Sequence, residues 1–262
     1  MVKGGLTMIT KEKVEEICWS VLSLIEQYKE KPDEFKETPQ LEGAEAIWCK
    51  GWRAPHEPIF FEEVTCGNIS EPRHPIWRVP RKKVHVSVHY YRDKKPIYSQ
   101  IYGADSDDIC EIFYTQDSGK NYGITYNRNG ELDMLSIEIQ NEKGLPVEYI
   151  VYRKEIWNFG DPLKNRIHYA AYEYDENDKI KGGSFIYEMI VNPKASNDPE
   201  ELLYSISNPP HDYYLSYDDE TVVSYTRTDY TSSLELLSGV GGPWKFPGYL
   251  LKRYHEFGIE YI

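Results

Sequence analysis

Turn signals at short intervals constrain this chain more than any other feature, because each one reverses the backbone between two runs of alternating residues. Asn129-Gly130 and Lys143-Gly144 bracket the run from Leu132 to Gln140, where Leu135, Ile137 and Ile139 alternate with Ser136, Glu138 and Gln140. Side chains of a strand point to alternate faces, so this run reads as a strand with one apolar and one wet face. Glycine takes positive φ at the turn without a Cβ clash. Val147, Tyr149 and Val151 then resume the apolar set, which predicts a hairpin.

The same plan recurs. Val84–Tyr102 reverses near Asp93, and Ile109–Gly130 reverses at Asp117-Ser118-Gly119. Ile167–Val191 turns around Glu176-Asn177-Asp178, and Asp212–Thr228 around Asp218-Asp219. Tyr, Val, Ile, Phe and Thr fill the strands, while Asn, Asp, Gly and Lys fill the turns. The spacing is irregular, so these are hairpins without a true sequence repeat. Together they predict an antiparallel β-meander of about eight to ten strands.

Helical periodicity is confined to the ends. Val14, Ile17, Cys18, Val21, Leu22, Ile25 and Tyr28 form an apolar stripe over residues 11–30, with Thr10 as N-cap and Pro32 beyond the end. Asp198, Pro199 and Glu201 have the order of a helix start, and Leu250, Leu251, Tyr254 and Phe257 suit one face of a helix that stops at Gly258. The expected fold class is therefore α+β: a large meander carrying an N-terminal amphipathic helix and short C-terminal helices. Residues 1–262 form one domain in this reading, with a sub-boundary near residue 80, where the proline-rich stretch "EPRHPIWRVPRKK" meets the first hairpin. That stretch also carries a basic run, Arg78, Arg81, Lys82 and Lys83, which reads as a solvated loop edge.

Chemistry is harder to find. His85, Ser87 and His89 stand at i, i+2 and i+4, an arrangement that sets a base beside a hydroxyl, but no carboxylate accompanies them locally. They read as residues of the wet face. Asp105, Asp107 and Asp108 cluster in "GADSDD", yet Ile109 and Cys110 occupy positions where a calcium loop needs an oxygen ligand and a glycine. Gly239, Gly241 and Gly242 precede Pro243-Trp244 without the strand, helix and Lys-Ser/Thr of a phosphate loop, and read as a turn. Cys18, Cys49, Cys66 and Cys110 contain no C-x-x-C pair and read as reduced thiols. No cofactor or metal is expected.

Charge and aromatic content point elsewhere. The 43 Asp and Glu against 30 Lys and Arg leave a formal net charge of −13. That excess repels phosphates and disfavours nucleic acid, while it favours a basic protein partner. The 23 tyrosines include the pairs Tyr90-Tyr91 and Tyr213-Tyr214, which place one ring on each strand face. Tyrosine is favoured at recognition surfaces. The expected contact set is Asp105, Asp107, Asp108, Asp218 and Asp219 with Tyr90 and Tyr213. No apolar run is long enough to span a membrane, and "MVKGGLTMITKEK" lacks the apolar core of a signal peptide, so a cytoplasmic location is expected.

The turns "YNRNGEL" and "YEYDENDKI" resemble the Y-x-x-N/D-G hairpins of bacterial YD, MORN-like and related antitoxin repeats, over residues 110–190. Families of that kind are built from hairpin meanders, and several serve toxin delivery or neutralisation. An acidic, tyrosine-rich chain without a catalytic motif also resembles, in type, the immunity proteins of bacterial polymorphic toxin systems. The leading expectation is thus a non-catalytic protein-binding module of the immunity or antitoxin type. Two alternatives stand beside it. One is an enzyme with a dispersed site in a sheet cleft, drawing on His85, His89, Asp105 or His168. The other is a structural or accessory protein of a phage or mobile element.

Overall fold

The structure, a computed structural model, describes residues 9–50, 74–76, 78–104, 109–155, 164–191, 204–208, 210–218, 221–235 and 241–245. One α-helix, α1 (Lys11–Tyr28), and a short 3₁₀ turn, Asp33–Phe35, are the helical elements among them. Everything else regular is strand: β1 (Glu45–Lys50), β2 (His74–Ile76), β3 (Val86–Arg92), β4 (Lys95–Tyr102), β5 (Ile109–Asp117), β6 (Lys120–Tyr126) and β7 (Leu132–Gln140). There follow β8 (Pro146–Glu155), β9 (Lys164–Tyr174), β10 (Ile180–Val191), β11 (Tyr204–Asn208), β12 (His211–Asp218), β13 (Thr221–Asp229) and β14 (Gly241–Lys245).

The chain divides into two compact units. One comprises Val21–Ile139 with Val151–Lys154; its strands pair in the order β2-β1-β3-β4-β5-β6-β7. The other comprises Met1–Ser20, Gln140–Ile150 and Glu155–Ile262. There β9 pairs with β10, which in turn pairs with β11 and β12, and β13 and β14 follow. Every pairing described is antiparallel.

The α+β expectation is corrected by this element list. Residues 204–208, expected to continue a helix started at Asp198, form β11 against β10 with Ile206 opposite Met189. The Gly241–Lys245 segment, read as a turn, is β14, with Trp244 opposite Tyr225. Pro243 has no N–H to give a ladder, and β14 accommodates it because β13 is its one strand partner among the described residues. The helix starts expected at 198–203 and 249–258 lie outside the described residues.

The N-terminal helix forms as its periodicity predicts. Thr10 caps it, accepting the Lys13 N–H on Oγ1 at 3.2 Å, and Val14, Ile17, Cys18 and Val21 are buried. In the Val21–Ile139 unit, Phe35 stacks on Phe113 with ring centroids 4.7 Å apart, and Tyr98 and Tyr126 close the cluster. The Tyr126 hydroxyl donates to the Tyr28 carbonyl at 3.0 Å, satisfying one of the carbonyls that a helix end leaves open.

The reversals are chemically alike. Asn127 Oδ1 accepts the N–H groups of Asn129 and Glu131 at 2.9 and 3.1 Å. Asn141 does the same for Lys143 and Leu145, Asp175 for Asn177 and Lys179, and Thr231 Oγ1 for Ser233 and Glu235. In each, the residue three positions on has positive φ: Gly130, Gly144, Asp178 and Leu234. One acceptor side chain thus nucleates each loop, and one left-handed residue lets the chain return. This shared turn is a repeat of geometry that the varied residues conceal.

The β3–β4 reversal uses two left-handed residues instead, Asp93 (φ 52°) and Lys94 (φ 63°). Lys94 is exposed and pays the steric cost of a Cβ in that region without a compensating contact among those described. Lys94→Gly is therefore expected to raise stability by about 1 kcal/mol, or roughly 2–4 °C in the unfolding midpoint, in a calorimetric comparison. An unchanged or lower midpoint would show the turn to be unstrained.

Candidate functional site

A cavity of about 330 Å³ lies in the unit that contains the start of α1. The first turn of the helix contributes Thr10 and Lys13, β8 contributes Val147 and Glu148, β9 contributes Tyr169 and Ala171 to Glu173, and β10 contributes Ser184. Antiparallel pairing sets Ser184 opposite Ala171 in β9 and opposite Asp212 in β12, so strand register brings a polar group to the cavity wall.

Two hydrogen-bonded groups organise the wall. Lys13 Nζ lies 2.9 Å from Glu148 Oε2, and Tyr169, 4% exposed, also bonds Glu148. Burial and the neighbouring Glu148 carboxylate push the Tyr169 phenol well above its ordinary value. Ser184 Oγ donates to Asp212 Oδ1 at 2.6 Å, and the Tyr230 hydroxyl donates to Asp212 Oδ2 at 2.5 Å. Burial first, and then Asp212, raises the Tyr230 phenol too. A buried carboxylate survives only when its oxygens are engaged, as both oxygens of Asp212 are, whereas Glu148 is part-buried and meets Lys13 as an ion pair.

A third group follows on the neighbouring residues of β12 and β13. His211 Nδ1 is 2.9 Å from Asp229 Oδ1, and Arg227 also bonds Asp229 while lying over the Tyr213 ring. Desolvation and the Arg227 charge hold the His211 imidazole below its usual range, against the pull of Asp229.

The histidine–serine arrangement expected from sequence sits in the other unit. Ser87 Oγ is 2.9 Å from His89 Nε2, His89 Nδ1 is 2.8 Å from Ser99 Oγ, and Ser99 Oγ is 3.1 Å from Tyr114 Oη. His89 is 1% exposed, not a residue of a wet face, and Ser87 and Ser99 are equally enclosed. Both imidazole nitrogens are used by hydroxyls, and the chain of bonds ties β3 to β4 and, through Tyr114, to β5. His85 lies outside it, exposed and at φ 51° before the strand begins. Ser136 and Glu138 of β7, also assigned to a wet face, are buried, with Glu138 accepting from Asn121 at 2.9 Å. Strand alternation tells which residues share a face and not whether something covers that face.

Of the expected contact residues, Tyr90 is half-buried on β3 with its ring stacked 6.0 Å from that of Tyr98. Tyr213 is 2% exposed, its ring packed beside His211 and Arg227. Asp218 ends β12; Asp105, Asp107, Asp108 and Asp219 lie outside the described residues.

Another acidic surface is visible between α1 and β1. Glu30, Glu34, Glu37, Glu42 and Glu45 are all exposed, and none forms an ion pair among those described. The lysines of the same stretch bond other carboxylates, Lys29 to Glu26, Lys36 to Asp33 and Lys31 to Glu111, although Lys29 and Lys36 also lie near enough to Glu30 to feel its charge. The sequence "KEKPDEFKETPQLEGAE" held this signal, but its mixed charges read only as a helix terminator.

Among the described residues no cluster of His, Cys, Asp and Glu is arranged to hold a metal ion, and no helix is long and apolar enough to cross a membrane. No family model matches the chain, and no curated protein matches it. Among solved structures, the chain is similar to part of the crystal structure of TcdB2-TccC3-Cdc42, with 10% identity and a TM-score of 0.11. That match covers 55% of this chain and 10% of the other, and a score at that level defines no shared fold.

Proposed function

We propose that the protein is a non-catalytic binding module whose acidic surface engages a basic protein partner, in the manner of an immunity or antitoxin protein. The observation that carries this reading is the run of exposed glutamates from Glu30 to Glu45, none of them in an ion pair among those described, in a chain of net charge −13. A like-signed surface steers an oppositely charged partner and raises its association rate, while aromatic anchors such as Tyr90 slow its release. The turn aspartates Asp105, Asp107, Asp108, Asp218 and Asp219 extend the proposed contact set. The hairpin meander is also the architecture that the resemblance to YD and MORN-like repeats implies.

Capture of partners on the tagged protein from host extract, eluted in steps of rising salt, tests the reading. One stoichiometric basic protein, released as salt screens the surface, is the expected result. Replacing Glu30, Glu34, Glu37, Glu42 and Glu45 together by Gln is expected to weaken that complex by about tenfold or more and to flatten its salt dependence. A complex indifferent to both salt and the five substitutions would overturn the placement.

A further inference from the structure

The cavity beside the start of α1 has no part in an acidic docking face, and its chemistry specifies a different ligand. Its rim charges already have partners: Lys13 with Glu148 at 2.9 Å, and Glu173 with Lys181 at 3.1 Å. An ionic ligand of either sign would have to break one of these pairs and would regain only what it displaced. A neutral ligand meets no such penalty. What remains to it is a set of hydrogen-bonding oxygens and an ammonium around a small apolar floor. Lys13 and Ser184 stand on the polar side, and Ala171, on the same face of β9 as Tyr169 and Glu173, lies between polar neighbours. The volume of about 330 Å³ is at the lower end of the range for small-molecule sites.

We propose that this cavity binds a neutral, hydroxyl-rich small molecule of one or two rings, of the sugar class, with its C–H face against Ala171 and its hydroxyls on Lys13, Glu148, Glu173 and Ser184. Hydroxyls both donate and accept, so they match a wall on which ammonium and carboxylate groups alternate. The Lys13–Glu148 pair and the Ser184–Asp212–Tyr230 bonds hold these groups in place before any ligand arrives, which lowers the cost of ordering them.

The test is titration of the isotope-labelled full chain with glucose, N-acetylglucosamine and maltose separately, read by heteronuclear NMR, with arginine amide and glutamate as charged comparators. Saturable shifts confined to residues around the cavity are expected with at least one sugar and with neither comparator. Ala171→Leu puts a larger side chain into the space and is expected to weaken sugar binding about tenfold or more. Glu173→Gln alters only a rim group, keeps the fold, and is expected to weaken it by a factor of about three to five. Absence of saturation with all three sugars up to about 50 mM overturns the proposal, as does binding unaffected by either variant, or binding of a charged comparator as strong as that of the sugars. The outcome is independent of the salt-step capture, since it needs no protein partner.

Discussion

Raised from pH 9 to pH 11.5, the unit of Val21–Ile139 with Val151–Lys154 is expected to lose its sheet cooperatively before ordinary tyrosine titration is complete. Tyr98, Tyr126, Tyr152 and Tyr169 are each 4% exposed or less, and burial lifts every one of their phenols above the ordinary value of 10.0. Carboxylates add to the lift: Glu111 at Tyr98, Glu34 at Tyr126, Asp133 at Tyr152 and Glu148 at Tyr169. Tyr152 reaches about 12, and the buried Cys18 thiol, ordinarily at 9.0, is also pushed up to about 12. Protons are thus held more tightly by the folded chain than by the unfolded one. Between the unfolded and folded pKa values the unfolded state binds fewer protons, so stability falls as pH rises, starting near 9 for Cys18 and near 10 for the tyrosines.

Each unit of pKa difference corresponds to about 1.4 kcal/mol, and a domain has only about 5–15 kcal/mol in total, so Tyr98, Tyr126 and Tyr152 together remove a large share of the stability of the unit that holds them, while Tyr169 and Cys18 weaken the other. Circular dichroism and tyrosinate absorbance, followed together, check the expectation. Both signals should break at the same pH, with a buried fraction of the tyrosinate signal appearing only at the break. Smooth ionisation of all the tyrosines near pH 10 with the sheet signal intact would show that these phenols are not held in the folded state as described.

The hairpins were legible because turn chemistry is local. Gly130, Gly144 and Asp178, the left-handed residues of their turns, were among the signals read, while Asn127, Asn141 and Asp175, which bond the same loops' backbone, were not. The N-terminal helix was legible for the same reason, through its cap and its stripe. Residues 204–208 and 241–245 were not. Their neighbours Pro199 and Glu201, or Gly241 and Gly242, carry strong local signals for helix and turn, whereas β11 and β14 exist through pairing with β10 and β13. Strand preference depends on what lies alongside, and that is set by residues far away in sequence.

The same limit governed the candidate sites. His89 and Ser87 were seen to share a face, but Ser99 and Tyr114, which complete the network, arrive through strand register. The cavity joins Lys13, Glu148, Tyr169 and Ser184, none of which is near another in sequence and none of which carries a motif. Its composition became readable only when the ion pair and the strand partners were known.

Register also decides where a glycine is irreplaceable, and Gly182 of β10 and Gly123 of β6 give unequal expectations for one added methyl. A Cβ on Gly182 would lie 2.3 Å from the Tyr213 carbonyl oxygen, with the Tyr213 carbonyl carbon and Tyr214 Cα also close. All three are backbone atoms of β12, held by the β10–β12 and β12–β13 ladders, so relief requires shifting a paired strand. A Cβ on Gly123 would lie 2.4 Å from Ser136 Oγ, an equally severe contact on paper. That obstacle is one hydroxyl, whose weak 3.3 Å bond to the Gly123 carbonyl can be given up by rotating the side chain. Gly182→Ala is therefore expected to cost about 3 kcal/mol or more, and Gly123→Ala about 1 kcal/mol. Urea unfolding midpoints at constant slope measure the difference directly. Equal losses would mean that β12 yields as easily as a serine side chain, and the close approach of β10 to β12 would then not be the constraint that keeps residue 182 a glycine.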